Sequence, residues 1–96
     1  MAKVVIASAL ARWLSPAPAG DGEVALQVPG DSVAAVLDGL FRIHPGLRGY
    51  VLDERGALRR HVALFVDGDA LQPKSNFALA LRADAEIYVM QALSGG

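Results

Sequence analysis

Residues 29–46 read PGDSVAAVLDGLFRIHPG, and this stretch decides the fold class. Its large apolar side chains recur at helical spacing and form one face of a helix over residues 33–44; they are Val33, Val36, Leu37, Leu40 and Phe41. Asp31 or Ser32 can cap the first amides, and His44-Pro45-Gly46 ends the helix. Gly39 inside it costs about 1 kcal/mol relative to alanine. We therefore predict one main helix.

Extended segments flank this helix on both sides. The apolar patterns predict strands at residues 3–9, 23–28, 61–66 and 85–92. A Pro/Gly-rich loop joins the first two strands into a hairpin, and Asp67-Gly68 supplies a tight turn. Residues 49–60 predict a short pair of extended segments that turn at Glu54 to Gly56. The segment QPKSNFALAL, residues 72–81, is ambiguous and offers at most one turn of helix.

One helix covers only one face of a sheet, so the predicted class is α+β with one open face. Parallel neighbours need a crossover, and the simplest arrangement puts the first and last strands parallel in the centre. This is the β-grasp, or ubiquitin-like, topology: a mixed four- to five-stranded sheet packed on one main helix. We expect a single domain over residues 1–92 and a flexible tail over residues 93–96. A ferredoxin-like fold is the alternative, and it would need a second helix in residues 72–81.

Composition excludes several function classes. Nine basic and ten acidic residues give a net charge of -1, which supplies no long-range field for nucleic acid or an anionic membrane. Cysteine is absent, so there is no thiol nucleophile and no cysteine-based zinc site. The apolar stretch VVIASALA is too short to span a bilayer. Arg12 and Trp13 interrupt it before the APA at residues 17–19 can act as a signal cleavage site, and we expect a cytoplasmic protein.

The titratable residues do not form a catalytic or metal-binding pattern. His44 and His61 each lack a second ligand at helical spacing. The Asp67-Gly68-Asp69 stretch is explained by a turn and lacks the later ligands of a calcium loop. Asp53-Glu54 are neighbours in one predicted turn and do not converge from two elements. We therefore predict no enzyme, no bound cofactor and no metal.

Two surfaces are candidates for partner binding. Tyr88 and Met90 lie on the opposite face of the last strand from Ile87 and Val89, so one pair is exposed, and Phe65 extends this docking patch. The alternative is a few apolar side chains scattered on a sheet.

The second surface is a basic cluster of Arg48, Arg55, Arg59 and Arg60. It is suited to an acidic partner or a phosphate, and the alternative is a solvated hairpin face.

Two segments resemble the ThiS/MoaD family of sulfur-carrier proteins. They are HPGLRGYVLDERGALRRHVALFVDGDAL, residues 44–71, and ALSGG, residues 92–96, and the likeness extends over nearly the whole chain. It is greatest for the long members of the cysteine pathway and for the small subunit of molybdopterin synthase. The chain departs from the family at RADAE, where a Gly-Asp-Glu turn is usual, and at Leu93-Ser94, where Val-Ala is more common. These departures leave the partner enzyme open.

The resemblance implies β-grasp architecture and a role for the C-terminal Gly-Gly. An E1-like enzyme would use ATP to adenylate Gly96, and a sulfur donor would convert it to a thiocarboxylate. The thiocarboxylate would give its sulfur to a synthase or sulfur-transfer enzyme of cysteine, molybdopterin or thiamine biosynthesis. The protein would then be a carrier and not a catalyst, with Leu93, Ser94 and Gly95 as its tail.

This ending is physically suited to such a role. A carboxylate is an anion at neutral pH and needs activation before it can react as an electrophile. Glycine has no Cβ to clash with a narrow channel, and five extended residues reach about 16 Å. Two alternatives remain: a ubiquitin-like modifier joined through Gly96 to target lysines, and a β-grasp interaction module whose tail is inert.

Overall fold

The first and last strands lie side by side in the middle of the sheet. In the computed structural model, which describes residues 1–11, 13–14 and 22–91, β1 (Ala2–Ile6) runs parallel to β5 (Glu86–Gln91). The antiparallel neighbours are β2 (Val24–Val28) on β1 and β3 (Val62–Val66) on β5, and the short β4 (Asp69–Ala70) pairs with β3. The strand order β2-β1-β5-β3-β4 makes a mixed five-stranded sheet, which confirms the predicted β-grasp topology.

A single long helix, α2 (Val33–Ile43), packs against one face of this sheet. The five apolar side chains predicted for its inner face are all buried. They meet the inward side chains of the three central strands, which are also buried: Val4, Ile6, Val62, Leu64, Ile87 and Val89. Each such side chain contributes about 1.5 to 3 kcal/mol by leaving water. The core therefore lies between α2 and the sheet.

The start of α2 has partners for its first amides. The Ser32 hydroxyl accepts a hydrogen bond from the Ala35 amide at 3.1 Å, as the capping prediction required. The carbonyls of Leu79 and Phe77 accept from the amides of Val33 and Ala34 at 3.1 and 2.8 Å. Residues 72–81 thus form turns that complete the helix cap and contain no second helix. The ferredoxin-like alternative is excluded.

The first strand is shorter than the sequence indicated. We predicted an extended segment to residue 9, but β1 ends at Ile6 and the short helix α1 (Ser8–Ala11) follows. The amides of Leu10 and Ala11 both donate to the Ala7 carbonyl at 2.9 Å. Alanine has the highest helix propensity, and this stretch alternates it with serine and leucine, so helix formation begins as soon as β1 has crossed the sheet.

The prediction for residues 49–60 is wrong in its first half. After α2, residues Pro45–Leu47 form a 3-10 turn and Arg48–Val51 form the short helix α3. Leu47 and Val51, four residues apart, both point into the core, and this helical spacing outweighs the β propensity of the segment. Extended pairing is limited to one bridge between Leu52 and Leu58, and the predicted turn between them is confirmed.

The turn between β3 and β4 has the predicted residues and geometry. Asp67 and Gly68 have φ values of 51° and 90°, so both central residues are left-handed, as a two-residue type I′ hairpin requires. Among the described residues, no helix is long and apolar enough to cross a membrane.

Candidate functional site

The predicted reactive terminus follows the central strand β5. The Ala7 amide donates to the Val89 carbonyl at 2.9 Å, and Gln91 pairs with Val62, so β5 is held from both sides almost to its end. Residues 92–96, which include the predicted tail Leu93, Ser94, Gly95 and the predicted carrier Gly96, lie outside the described residues. Their role stays a prediction.

The three predicted docking residues share the open face of the sheet. Phe65 lies directly opposite Tyr88, and Met90 lies opposite Ala63 in the same pair of strands. Val5 of β1 is in register with Tyr88 on its other side. The opposite face of β5 carries the buried Ile87 and Val89, which confirms the predicted division of that strand. We call Val5, Ala63, Phe65, Tyr88 and Met90 the outer-face patch.

The outer-face patch is apolar but only partly accessible. Phe65, Tyr88 and Met90 are half-buried, and Val5 is buried between its neighbours. The side chains pack against one another across three strands, because directly opposed residues in a ladder stand close together. The sequence indicated these residue types and their face, and the strand register brings them into one cluster.

Tyr88 is fixed by a contact that the sequence did not predict. Its hydroxyl donates to Glu23 Oε2 at 2.8 Å, so the side chain extends from β5 across β1 to the residue before β2. The hydrogen bond to the Glu23 carboxylate raises the pKa of Tyr88, and partial removal from water adds to this effect. The two residues are far apart in the chain, and only the observed strand order brings them together.

Charged side chains form ion pairs at the end of the sheet where β5 begins, opposite the end that precedes the predicted tail. Asp67 Oδ1 lies 3.4 Å from the Arg82 guanidinium and accepts a hydrogen bond from the Glu86 amide at 3.0 Å. That amide hydrogen bond and the nearby Arg82 lower the pKa of Asp67. The Glu86 carboxylate lies 3.9 Å from Lys3 Nζ. These contacts hold the turn between β3 and β4 against the start of β5.

The structure gives contacts for two arginines of the predicted basic cluster. Arg48 lines a shallow depression with Phe41 and Leu52. Arg59 lies against α3, because its Nε–H donates to the Gly49 carbonyl at 2.6 Å.

The predicted turn carboxylate beside these arginines has an internal role. Asp53 Oδ1 accepts hydrogen bonds from the amides of Ala57 and Arg55 at 3.1 and 2.8 Å. These hydrogen bonds lower the pKa of Asp53, and the positive charges of Arg55 and Arg59 lower it further. Asp53 therefore stabilises the turn and is not placed to move protons.

Sequence reasoning missed an aromatic pair on the surface. The rings of Trp13 and Tyr50 stack with centroids 4.0 Å apart and planes 7° from parallel. Trp13 follows α1 and Tyr50 belongs to α3, two short helices that the sequence did not predict.

Comparison with known proteins identifies structural neighbours of the whole chain. No protein-family model and no curated protein sequence matches it. The crystal structure of SAMP1 from Haloferax volcanii, a small archaeal modifier protein, has a TM-score of 0.74 and 26% identity, over 99% of this chain and 98% of that one. CysO from Mycobacterium tuberculosis has a TM-score of 0.73 and 19% identity, over 94% and 99% of the two chains.

A third neighbour was solved with a partner. It is the BexX/CysO complex of Amycolatopsis orientalis, with a TM-score of 0.73 and 16% identity, over 97% of this chain and 99% of that one. The chain has the ubiquitin-like β-grasp fold. Its neighbours are the ubiquitin-like, ThiS/MoaD-like proteins that the sequence resemblance predicted. Below 25% identity, the likeness to CysO is one of fold.

Proposed function

We propose that this chain is a sulfur carrier whose Gly96 is activated by an E1-like enzyme. The observation that supports this most is the position of β5. It occupies the centre of the sheet, its outer side belongs to the outer-face patch, and the sequence LSGG follows within two residues of its end. Structural neighbours that match this chain over 94% or more of its length include CysO and SAMP1.

The proposed reaction begins at the Gly96 carboxylate, which is deprotonated at neutral pH. One of its oxygens attacks the α-phosphorus of ATP bound by the E1-like partner, and pyrophosphate leaves. A nucleophile at the oxidation level of sulfide then attacks the carbonyl and expels AMP. The product is a C-terminal thiocarboxylate with one sulfur in place of one oxygen. An acceptor synthase or sulfur-transfer enzyme of cysteine, molybdopterin or thiamine biosynthesis receives that sulfur.

The chain itself contributes position and recognition to this reaction. Phe65, Tyr88 and Met90 dock against the partner, and the Tyr88–Glu23 hydrogen bond keeps the tyrosine ring in one orientation before contact. A root fixed in the sheet limits the directions that the tail must search, which lowers the entropy cost of threading it into another active site. Since ATP is required, we place the reaction in the cytoplasm.

Intact-mass spectrometry tests the proposal. The chain is incubated with ATP, a sulfide source and an E1-like enzyme of the same organism. We expect the mass to rise by the difference between sulfur and oxygen, and the change to disappear without ATP or when Gly96 is deleted. SAMP1 and CysO, each with its own activating enzyme, serve as positive controls. Conversion of both controls but not of this chain contradicts the proposal.

A second candidate function is protein modification. It is favoured by the likeness to SAMP1, whose name identifies it as a modifier protein and which has 26% identity to this chain. In this case a lysine amine attacks the activated Gly96 carbonyl and an isopeptide bond forms. Digestion with trypsin, which cleaves after Lys and Arg, would then leave residues 83–96 attached through Gly96 to lysines of other proteins. Detection of that remnant without a thiocarboxylate favours modification over sulfur transfer.

A further inference from the structure

Two elements border the end of β5, the strand that the predicted tail follows in the sequence. On one side the Ala7 amide bonds to the Val89 carbonyl, and α1 leads from there to Trp13. On the other side Val62, the first residue of β3, pairs with Gln91. Any protein that receives the tail must approach both elements.

The first element carries exposed aromatic surface. Trp13 and Tyr50 stack on each other, yet 39% and 43% of their areas remain in contact with water. Aromatic rings held rigidly at a surface lose little conformational entropy on binding, and Trp and Tyr are enriched among the residues that dominate interface energies. This stack is therefore suited to be an apolar anchor in an interface.

The second element carries clustered positive charge. The Arg59 guanidinium is held against α3 through the Gly49 carbonyl, close to Tyr50 in the chain. Lys74 Nζ lies 3.5 Å from the carbonyl oxygens of both Arg59 and Arg60. The Arg59 carbonyl also accepts from the Val62 amide at 3.0 Å, which connects the cluster to the strand that pairs with the end of β5.

These cations lack the ion pairs found elsewhere. In the part of the chain that the structure describes, salt bridges join Lys3 to Glu86, Arg42 to Asp38, and Arg82 to Asp67. Arg59, Arg60 and Lys74 take part in none of them. The Asp53 carboxylate accepts hydrogen bonds from two backbone amides, and Arg59 is the smallest contributor to its lowered pKa. The cluster therefore keeps its positive field.

We propose that Trp13, Tyr50, Arg59, Arg60 and Lys74 form an exit rim that binds an acidic surface on the protein that receives the tail. The inference rests on the proposed function and names the chemistry of its partner: carboxylates opposite the cations, beside an apolar contact for the aromatic stack. Complementary charges of this kind speed and orient encounter.

The charge distribution favours a protein over a nucleic acid as the occupant. The exit rim is small, and the opposite end of the sheet carries Asp67, Asp69, Asp84 and Glu86. A long polyanion that extended beyond the rim would meet these carboxylates and cations that are already paired with them, Lys3 with Glu86 and Arg82 with Asp67, and the whole chain has a net charge of -1. A local acidic patch on a protein meets only the rim.

Trp13 is the only tryptophan of the sequence, so its fluorescence reports binding at the rim directly. The full chain is titrated at low ionic strength with a ten-residue glutamate peptide. We expect a saturable change that salt abolishes. The double variant Arg60→Glu/Lys74→Glu should bind about tenfold more weakly, because two surface charges are reversed. Circular dichroism checks that it folds.

The double variant Lys3→Glu/Arg82→Glu is the matched control, since it also replaces two cations by carboxylates, at the opposite end of the sheet, and should leave peptide binding within about twofold of the native chain. Equal weakening by Lys3→Glu/Arg82→Glu would show an effect of net charge alone and overturn the proposal. So would a native chain whose Trp13 does not respond, or one that binds a single-stranded oligonucleotide of equal charge more tightly than the peptide.

The activation assay gives a second readout that separates the two proposals. With the E1-like enzyme, we expect Arg60→Glu/Lys74→Glu to raise the KM for the carrier about tenfold and to leave kcat unchanged. An activated chain with an unchanged KM refutes the exit rim and leaves the sulfur-carrier function standing. A chain that is never activated refutes the function, and the peptide titration then decides the rim by itself.

Discussion

Gly39, in the middle of α2, tests how closely the helix and the sheet are packed. By helix propensity alone, Gly39→Ala should stabilise the protein by up to about 1 kcal/mol. In the structure, however, a Cβ at this position would lie 2.9 Å from Val28 Cγ1. Carbon atoms in contact prefer about 3.5 to 4.0 Å, so the new methyl group is too close by roughly 0.6 Å or more.

The Val28 side chain cannot move away easily. Val28 is fully buried and β-branched, and it lies in β2 beneath the helix, so relief requires the helix and the strand to separate. Overpacking of this kind costs about 1 to 3 kcal/mol. Subtracting the propensity gain leaves a net loss of about 0 to 2 kcal/mol for Gly39→Ala.

Gly49 in α3 is the matched control, because a Cβ there meets nothing within 4 Å. Urea denaturation should place Gly49→Ala above Gly39→Ala in the free energy of unfolding by about 1 to 3 kcal/mol. In a Val28→Ala background the clash is removed, and Gly39→Ala should then become stabilising. If Gly39→Ala stabilises the native chain as much as Gly49→Ala does, the argument from close packing is wrong.

Three further changes test the charges and the open face. Folding lowers the pKa of Asp67, so the ionised carboxylate stabilises the folded protein above the unfolded pKa of about 3.9, and this stabilisation is lost as the pH falls through the lowered folded pKa. Asp67→Asn should therefore be less stable than the native chain near neutral pH and equally stable in acid, which acid denaturation curves would measure. A constant difference at all pH values would contradict this. Glu23→Gln should lower the pKa of Tyr88 toward its ordinary value in alkaline ultraviolet titration, and an unchanged curve would show that the Glu23 carboxylate does not raise it. Phe65→Asp on the outer-face patch should raise the KM for activation at least tenfold with little loss of stability, whereas an unchanged KM would exclude this face from docking.

The parts of the fold with strong periodicity were predicted well. The apolar face of α2, the alternation in β3 and β5 and the Asp67-Gly68 turn depend on neighbours in the chain, and such local patterns are visible in a single sequence. The short helices α1 and α3 were not predicted, because a helix of one turn has no period to detect and its formation is decided by tertiary contacts such as the burial of Val51.

The candidate site was likewise predicted only where its pattern is local in the chain. The sequence predicts which residues of β5 face outward, since alternation along a strand is local. It does not predict that Glu23 accepts a hydrogen bond from the Tyr88 hydroxyl or that Trp13 stacks on Tyr50. Both contacts join elements that only the assembled fold brings together. The aromatic part of the exit rim was not predictable for this reason, whereas Arg59 and Arg60 belong to the basic cluster that the sequence predicts.

The central position of β5 connects the fold to the proposed function. In a β-grasp sheet the last strand can reach the middle only if the first strand leaves one of its edges free, and here β1 pairs with β5 through Lys3 to Ile6. Side chains of β5 then alternate between the core under α2 and the outer-face patch, so one strand supplies both stability and docking surface. Substitutions at Ile87 and Val89 should therefore act through stability, and substitutions at Tyr88 and Met90 through binding. Purified variants compared at equal folded concentration would separate the two effects, because only the outward pair should change the KM of a fully folded carrier.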